Sequence, residues 1–294
     1  MDSSLSAARS LRFFDGAFHA KVSRVMRPAP GYPSLSILEA VEGDAAWLTV
    51  AGRRMTADAV IDALTPHVLP ERRARMESVL DARTTRVALA VENLHHNHNG
   101  AACIRTAEAL GLQDLVTLES LNTFPLFAEA GGGDAVGAGD TVGAKKVTRL
   151  TDRWMSIHRM RGAADLRAFA DAGGMQVWGA APLGTATLAD IPADRPVIVL
   201  FGNESSGLLP ETISACDATF RIPMYGFVES FNISVSVGIV LHDLLRRRRE
   251  ARGDAMPEGA DGLSPLRRKA LLARWLFEDV RAADLILKRR LADA

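Results

Sequence analysis

From Arg86 onward, short apolar runs alternate with segments of helical period. Val87–Val91 is an unbroken apolar run of strand length, and Asn99–Leu110 is spaced as a helix that Gly111 closes. Leu115–Leu118, Arg153–His158, Met175–Ala180, Val197–Phe201 and Thr219–Ile222 read as further strands. Ala164–Ala172 reads as a helix ended by Gly173 and Gly174, and Glu211–Ala215 as a short one. Ile233–Arg249 is a long helix with Val235, Val237, Ile239, Val240, Leu244 and Leu245 on its apolar side. Strands alternating with helices predict an α/β fold, with a mostly parallel sheet covered on both faces.

The flanks are less regular. Ser36–Leu38 and Trp47–Val50 suit short strands and Ala57–Leu64 a helix, while Pro28, Pro30, Gly31 and Pro33 break the pattern. Residues 1–65 are therefore expected to form a small α+β N-terminal appendage, followed by an α/β domain over 66–250. Pro70–Leu80 is the charged helix that leads into that domain. Residues 251–294 are expected to comprise a linker, Ala251–Gly262, and a basic C-terminal helix with Ser264 as N-cap and Pro265 at its first position. Phe124–Thr148, with Gly131-Gly-Gly133, reads as a functional lid or a disordered loop.

Composition narrows the class. The 294 residues are 48% apolar and 24% charged, ordinary for one large or two modest globular domains. Net charge is zero but unevenly spread: residues 1–86 carry 12 Lys/Arg against 10 Asp/Glu, 87–240 carry 10 against 16, and 241–294 carry 13 against 9. An acidic middle with basic ends suits a ligand-binding core whose flanks touch a polyanion, and equally suits solvated helix faces. Cys103 and Cys216 are the only cysteines, which excludes a disulfide framework and fits no metal spacing. The N-terminus lacks a basic segment followed by an apolar run, and the longest apolar run, Val235–Leu241, is too short to span a bilayer. The expectation is a cytoplasmic protein without a membrane partner.

Three clusters carry candidate chemistry. The first is Glu92-Asn-Leu-His-His-Asn-His-Asn-Gly-Ala-Ala-Cys-Ile-Arg105; the second is Gly202-Asn-Glu-Ser-Ser-Gly207; the third is Ile222-Pro-Met-Tyr-Gly with Ser230-Phe-Asn-Ile-Ser234. Read singly, Asn99 is a helix N-cap, Glu204 a solvated loop acid, and Ser230 and Asn232 turn and cap residues. His95, His96 and His98 lack a completing carboxylate or Cys at ligand spacing, so no metal is expected. The 202–207 loop lacks the Lys-Ser/Thr ending of a P-loop, and the Rossmann glycine spacing is absent.

In this order and spacing the clusters resemble the three motifs of the SpoU/TrmH branch of the SPOUT RNA methyltransferases, over roughly Leu69 to Arg249. That resemblance implies ribose 2′-O-methylation with S-adenosylmethionine. It places the reaction on Arg105, Asn99, Glu204, Ser230 and Asn232, and cofactor binding on the main chain at Ala180, Gly202, Ile222 and Phe231. It also implies a deep trefoil knot at the C-terminal end of the domain, a rare exception to ordinary topology, and a homodimer with the long helix in its interface. Phe231 stands where the family commonly has Leu, and an apolar wall for the adenine is kept.

In the family the counterpart of Arg105 touches the target phosphate and hydroxyl. A guanidinium stays charged, so Arg105 is read as a clamp that holds and polarises the phosphate, with the phosphate or a water taking the proton. Asn99, Glu204 and Asn232 would orient the site, and Ser230 would bind phosphate or backbone. The first motif and the helix before the core are closest to the tRNA branch, which favours guanosine 18 of the tRNA D-loop over ribosomal RNA. Arg246–Arg249 with Arg252, Arg267-Arg268-Lys269, and Arg72, Arg73 and Arg75 are candidate phosphate contacts. A non-catalytic RNA-binding protein that kept the fold, or a nucleotide-binding regulator using the 202–207 loop, are the competing classes.

Overall fold

The structure, a computed structural model, describes residues 41–42, 45–50, 52–94, 96–121, 151–252 and 262–292. The expected strand Ser36–Leu38, the stretch Phe124–Thr148, most of the expected linker and His95 lie outside them. Along the chain run β1 (Val41–Glu42), β2 (Ala45–Val50), β3 (Arg53–Thr56), α1 (Ala57–Leu64), α2 (Pro70–Asp81), β4 (Val87–Glu92), α3 (Asn97–Ala109) and β5 (Asp114–Leu118). Then come β6 (Ser156–Met160), α4 (Ala163–Gly173), β7 (Gln176–Ala180), β8 (Val197–Phe201), α5 (Pro210–Ser214), β9 (Ala218–Phe220), α6 (Ile233–Arg252), α7 (Pro265–Asp279) and α8 (Ala283–Ala292).

The chain divides into two units, Met1–Arg83 with Asp261–Ala294, and Thr84–Ala260. In the first, β1, β2 and β3 form an antiparallel meander. Leu48 lies opposite Met55 and both are buried, whereas Arg54, opposite Thr49, is exposed and stacks on Trp47. The Thr56 hydroxyl accepts from the Ala59 N–H at 3.2 Å and starts α1, whose Val60, Ile61 and Leu64 are buried. α7 packs on α1, α2 and β2, and α8 on α1 and β2.

Three expectations change here. The segment after 261 is not a separate extension, because the apolar side of α7, with Leu271, Leu272, Trp275 and Leu276 buried, is covered by the N-terminal elements. Secondly, α2 belongs with this unit rather than with the α/β domain. The single basic helix is in fact two, α7 and α8, separated by a break in which Ala282 takes φ 61°. Ion pairs tie the unit together, with 2.7 Å between Arg72 and Asp279, 2.7 Å between Arg268 and Asp81, and 2.8 Å between Lys269 and Asp58.

The second unit is a six-stranded, wholly parallel sheet in the order β6-β5-β4-β8-β7-β9. Alternate residues serve two cores. Val87, Leu89, Val91, Leu115, Val197, Val199 and Phe201 join Cys103, Ile104 and Ala107 of α3 and Val237, Val240, Leu241 and Leu244 of α6. Ala88, Ala90, Val116, Ile198 and Leu200 point the other way and are equally buried. α4, with Leu166, Phe169 and Ala170 buried, lies along β7 and meets β6 where the His158 and Phe169 rings stand 4.9 Å apart. Burial on both faces explains the uninterrupted apolar runs of β4 and β8.

Residues 153 and 154, expected in a strand, form a 3-10 turn over Thr151–Trp154 instead, and β6 begins at Ser156. The Gln113 amide holds that turn by donating to the Trp154 carbonyl and the Ser156 hydroxyl.

The basic run in α6 also has a structural use. Arg248, 2% exposed, donates to the carbonyls of Ala193 and Arg195, and Arg247 to those of Leu188 and Ile191. Arg246 pairs with Asp243 and Glu250. The other side of the same segment is held by β9: Ala181 N–H donates to Phe220 O, Ala186 N–H to Thr219 O, and Arg221 N–H to Ala186 O. Residues 181–195 thus lie between the end of β9 and the last turns of α6. Among the described residues, no helix is long and apolar enough to cross a membrane.

Candidate active site

From β4 the chain moves through α3 to β5 and β6; from β8 it moves past β7 to β9. The strand order therefore reverses between β4 and β8, and ligands of open α/β sheets bind at the carboxyl ends of strands beside such a switch. All three motifs lie at that edge. The first follows β4, the second follows β8, and the third follows β9 and opens α6.

Asn99 sits in the first turn of α3 and is 8% exposed. It is not the N-cap, a position taken by His96. Its side chain reaches across the edge instead, donating through Nδ2 to Glu204 Oε1 at 2.8 Å. Its Oδ1 accepts from Asn232 Nδ2 at 3.1 Å. Asn232 Oδ1 in turn accepts from the N–H and the hydroxyl of Ser234, at 2.9 and 2.7 Å. Asn232 is thus both the cap of α6 and a site residue, because an amide has a donor and an acceptor to spend.

This chain of bonds has one direction. The Ser234 N–H can only donate, so Asn232 must present oxygen to it and nitrogen to Asn99. Asn99 must then present nitrogen to Glu204, which receives as a carboxylate.

The second-motif loop is closed on itself. Asn203 N–H bonds to Gly207 O and Gly207 N–H to Asn203 O, while Asn203 Oδ1 accepts from Ser205 N–H at 2.8 Å. A Cβ on Gly202 would run into the main chain of Gly207 and Leu208. Gly202→Ala must force that loop open, so a cofactor titration is expected to show at least a tenfold weaker fit than wild type, with a lowered melting temperature.

Ala180, Gly202 and Ile222 fall at or just beyond the carboxyl ends of β7, β8 and β9, which lie side by side in the sheet. Phe231, 39% exposed, precedes Asn232. Among the described residues, no backbone–backbone hydrogen bond engages the main chain of 222–231. These neighbouring strand ends and the Phe231 ring are the groups at this edge that could hold an adenosyl cofactor.

Arg105 is exposed on α3, six residues and about 9 Å of helix rise beyond Asn99. Ser230 is likewise exposed, two residues before Asn232. The hydrogen-bonded group thus comprises Asn99, Glu204 and Asn232, while Arg105 and Ser230 are exposed on the segments that carry it. Burial, with the Glu204 charge nearby, pushes the Cys103 thiol up to about 12, and burial next to Asp217 pushes Cys216 up to about 11.

Sequence reasoning passed over Asn93 as a site residue. It follows β4 with φ 48°, in the left-handed region, and its carbonyl accepts from Asn203 Nδ2 at 2.6 Å. Its side chain binds the Ser120 hydroxyl and the Leu121 N–H beyond β5. An Asn directly after an apolar strand was the available signal, since Asn tolerates this conformation better than most residues.

Comparison with known proteins agrees with this edge. The profile of the SpoU rRNA Methylase family matches residues 86–242, from the first strand of the parallel sheet into α6. A tRNA (guanosine(18)-2′-O)-methyltransferase of Borreliella burgdorferi is 30% identical over 203 residues, 68% of this chain and 85% of that protein. A 23S rRNA (guanosine-2′-O-)-methyltransferase of a Burkholderia species is 33% identical over 174 residues, 59% of this chain and 64% of its own. The crystal structure of the Aquifex aeolicus TrmH/SpoU tRNA modifying enzyme superposes with a TM-score of 0.57 at 24% identity, covering 72% of this chain and 98% of that one. With all three motifs gathered at one sheet edge and the family profile spanning them, this chain belongs to the SpoU methylase family.

Proposed function

We propose that this protein transfers the methyl group of S-adenosylmethionine to a ribose 2′-hydroxyl of RNA, with guanosine 18 of the tRNA D-loop as the target. The observation that carries the reading is the bond chain from Ser234 through Asn232 and Asn99 to Glu204, built from all three motifs at the switch point. A ribose hydroxyl is a poor nucleophile that must lose its proton near the transition state while held in line with the methyl group. Fixed amides and a carboxylate supply orientation without reorganising during the reaction.

The cofactor would rest on the main chain of Ala180, Gly202 and Ile222 against Phe231, and it supplies the methyl group as an electrophile. Arg105 on the exposed rim clamps the phosphate beside the target, with Ser230 as a second phosphate or backbone contact. The proton leaves to that phosphate or to a water.

Support for tRNA over ribosomal RNA comes from coverage: matches to tRNA (guanosine(18)-2′-O)-methyltransferases span 85 to 95% of the proteins from Borreliella burgdorferi, Aquifex aeolicus and Thermus thermophilus. The ribosomal RNA relative is matched over 64% of its length. A knot is part of the same proposal, favoured by the enclosure of residues 181–195 between β9 and α6. Homodimerisation through α6 and the preceding loop is favoured by the exposure of Tyr225, Phe227, Val228 and Val235. Action on tRNA favours a cytoplasmic location.

Radiolabelled methyl transfer to purified total tRNA and, separately, to ribosomal RNA tests this reading, with the product mapped by nuclease digestion. Label as 2′-O-methylguanosine in the D-loop is the expected result. Label in ribosomal RNA alone would move the substrate and keep the reaction; cofactor binding with no transfer to either RNA would sink the enzymatic reading.

A further inference from the structure

Beneath the second-motif loop lies a carboxylate that none of the assigned roles uses. Glu92 ends β4, a strand otherwise apolar, and is 0% exposed. Its oxygens are engaged separately: the Leu209 N–H donates to Oε2 at 2.9 Å, and the buried Thr212 hydroxyl donates to Oε1. The loop between Gly202 and Leu209 is thereby fastened to the end of β4 at both of its own ends. Asn203 grips the Asn93 carbonyl at its start, and Glu92 grips Leu209 and Thr212 at its finish. Between those fastenings, Glu204 meets Asn99, and Leu208 packs so close to Gly179 that a Cβ there would stand 2.9 Å from Leu208 Cδ1.

We propose that Glu92 is a positioning residue for methyl transfer: through Leu209 and Thr212 it sets where the 202–209 loop sits, and so where Glu204 and the Gly202 main chain stand. The proposal rests on the assignment of that loop to the cofactor and the reaction. It gains support from energetics. Burial pushes the Glu92 carboxyl above the usual range, and the bonds from Thr212 and Leu209 only partly oppose this. A carboxyl raised in the folded state favours folding while protonated, and that advantage is lost as pH rises from the ordinary glutamate value through the raised one. Ionising this carboxyl within the fold therefore costs stability. What the carboxylate supplies is two acceptors for two donors in one geometry. A Gln has one oxygen for them and turns an N–H donor toward the other.

The test compares the full-length wild type with Glu92→Gln, Thr212→Val and Leu166→Ala, the last a core truncation under α4. Steady-state methyl transfer, cofactor titration, melting temperature and hydrogen exchange of the 202–209 amides are measured on each. Glu92→Gln is expected to raise the KM for S-adenosylmethionine roughly tenfold and speed exchange at the Leu209 amide. Its melting temperature relative to wild type should decline as pH falls, because only the wild type regains stability on protonation. Thr212→Val should shift KM in the same direction by less, while Leu166→Ala lowers the melting temperature and leaves KM unchanged. Wild-type KM and exchange in Glu92→Gln, or the same KM rise in Leu166→Ala, would overturn the proposal. If the wild type transfers no methyl group, the functional reading falls by itself, and exchange across 202–209 still decides whether Glu92 holds the loop.

Discussion

Arg105→Ala is expected to slow methyl transfer by about 10²–10³ while leaving the fold and cofactor affinity intact. The size follows from what the guanidinium does. A phosphate held by a forked donor keeps the adjacent ribose in line, and a fixed positive charge eases the loss of the hydroxyl proton; alanine offers neither. The fold is expected to survive because Arg105 is exposed on α3, and truncation of a surface side chain typically costs little stability. Single-turnover transfer at saturating cofactor, beside calorimetric cofactor binding, separates the two effects. Arg105→Lys keeps the charge and loses the fork, so it should retain only part of the rate. Wild-type rates in the lysine protein would show that charge alone suffices.

Asn99→Ala should be the next most damaging change, lowering kcat roughly a hundredfold and costing about 0.5–1.5 kcal/mol of stability for each bond lost, because half-buried Glu204 and exposed Asn232 lose a partner at once. Glu204 loses the donor at 2.8 Å and Asn232 Nδ2 the acceptor at 3.1 Å. The bonds are in series, so Asn99→Ala and Asn232→Ala together should cost much less than their sum. Asn99→Asp is the more discriminating variant. It keeps an acceptor for Asn232 but sets a second carboxylate against Glu204, and two such groups at hydrogen-bond range hold one proton between them. Its activity relative to wild type should therefore rise as pH falls. A pH–rate profile parallel to wild type would mean that Glu204 does not depend on Asn99 for its place.

Much of this site is legible in the sequence, and the reasons are local. Apolar runs with turn residues behind them located β4, β5, β7, β8 and β9 to within two residues, since strands covered on both faces leave little room for polar positions. The motif residues could be named because their spacing matched a family. Their bond order could not, because it joins residues 105 and 133 positions apart. Arg246–Arg249 shows the opposite limit. A basic run reads as a surface for phosphate, yet Arg247 and Arg248 turn inward to hold the carbonyls of residues 188–195. Charge in a sequence says nothing of which carbonyls lie within reach. Glu92 was hidden for a related reason: a lone acid at the end of an apolar run looks like the start of a loop until its partners, 117 and 120 residues away, are seen.

The first unit draws on residues from before and after the parallel sheet, with α7 and α8 packed on α1 and β2. On the ribosome this imposes a timetable. The meander and α1 emerge early but must wait for α7, about two hundred residues later, to cover them. At roughly 5–20 residues per second that is a delay on the order of 10–40 s. The parallel sheet, continuous in sequence, can complete itself in that interval. A chain ended at Ala260 and released should therefore carry a protease-resistant sheet and a cleavable N-terminal segment, which becomes protected only when the last two helices are present.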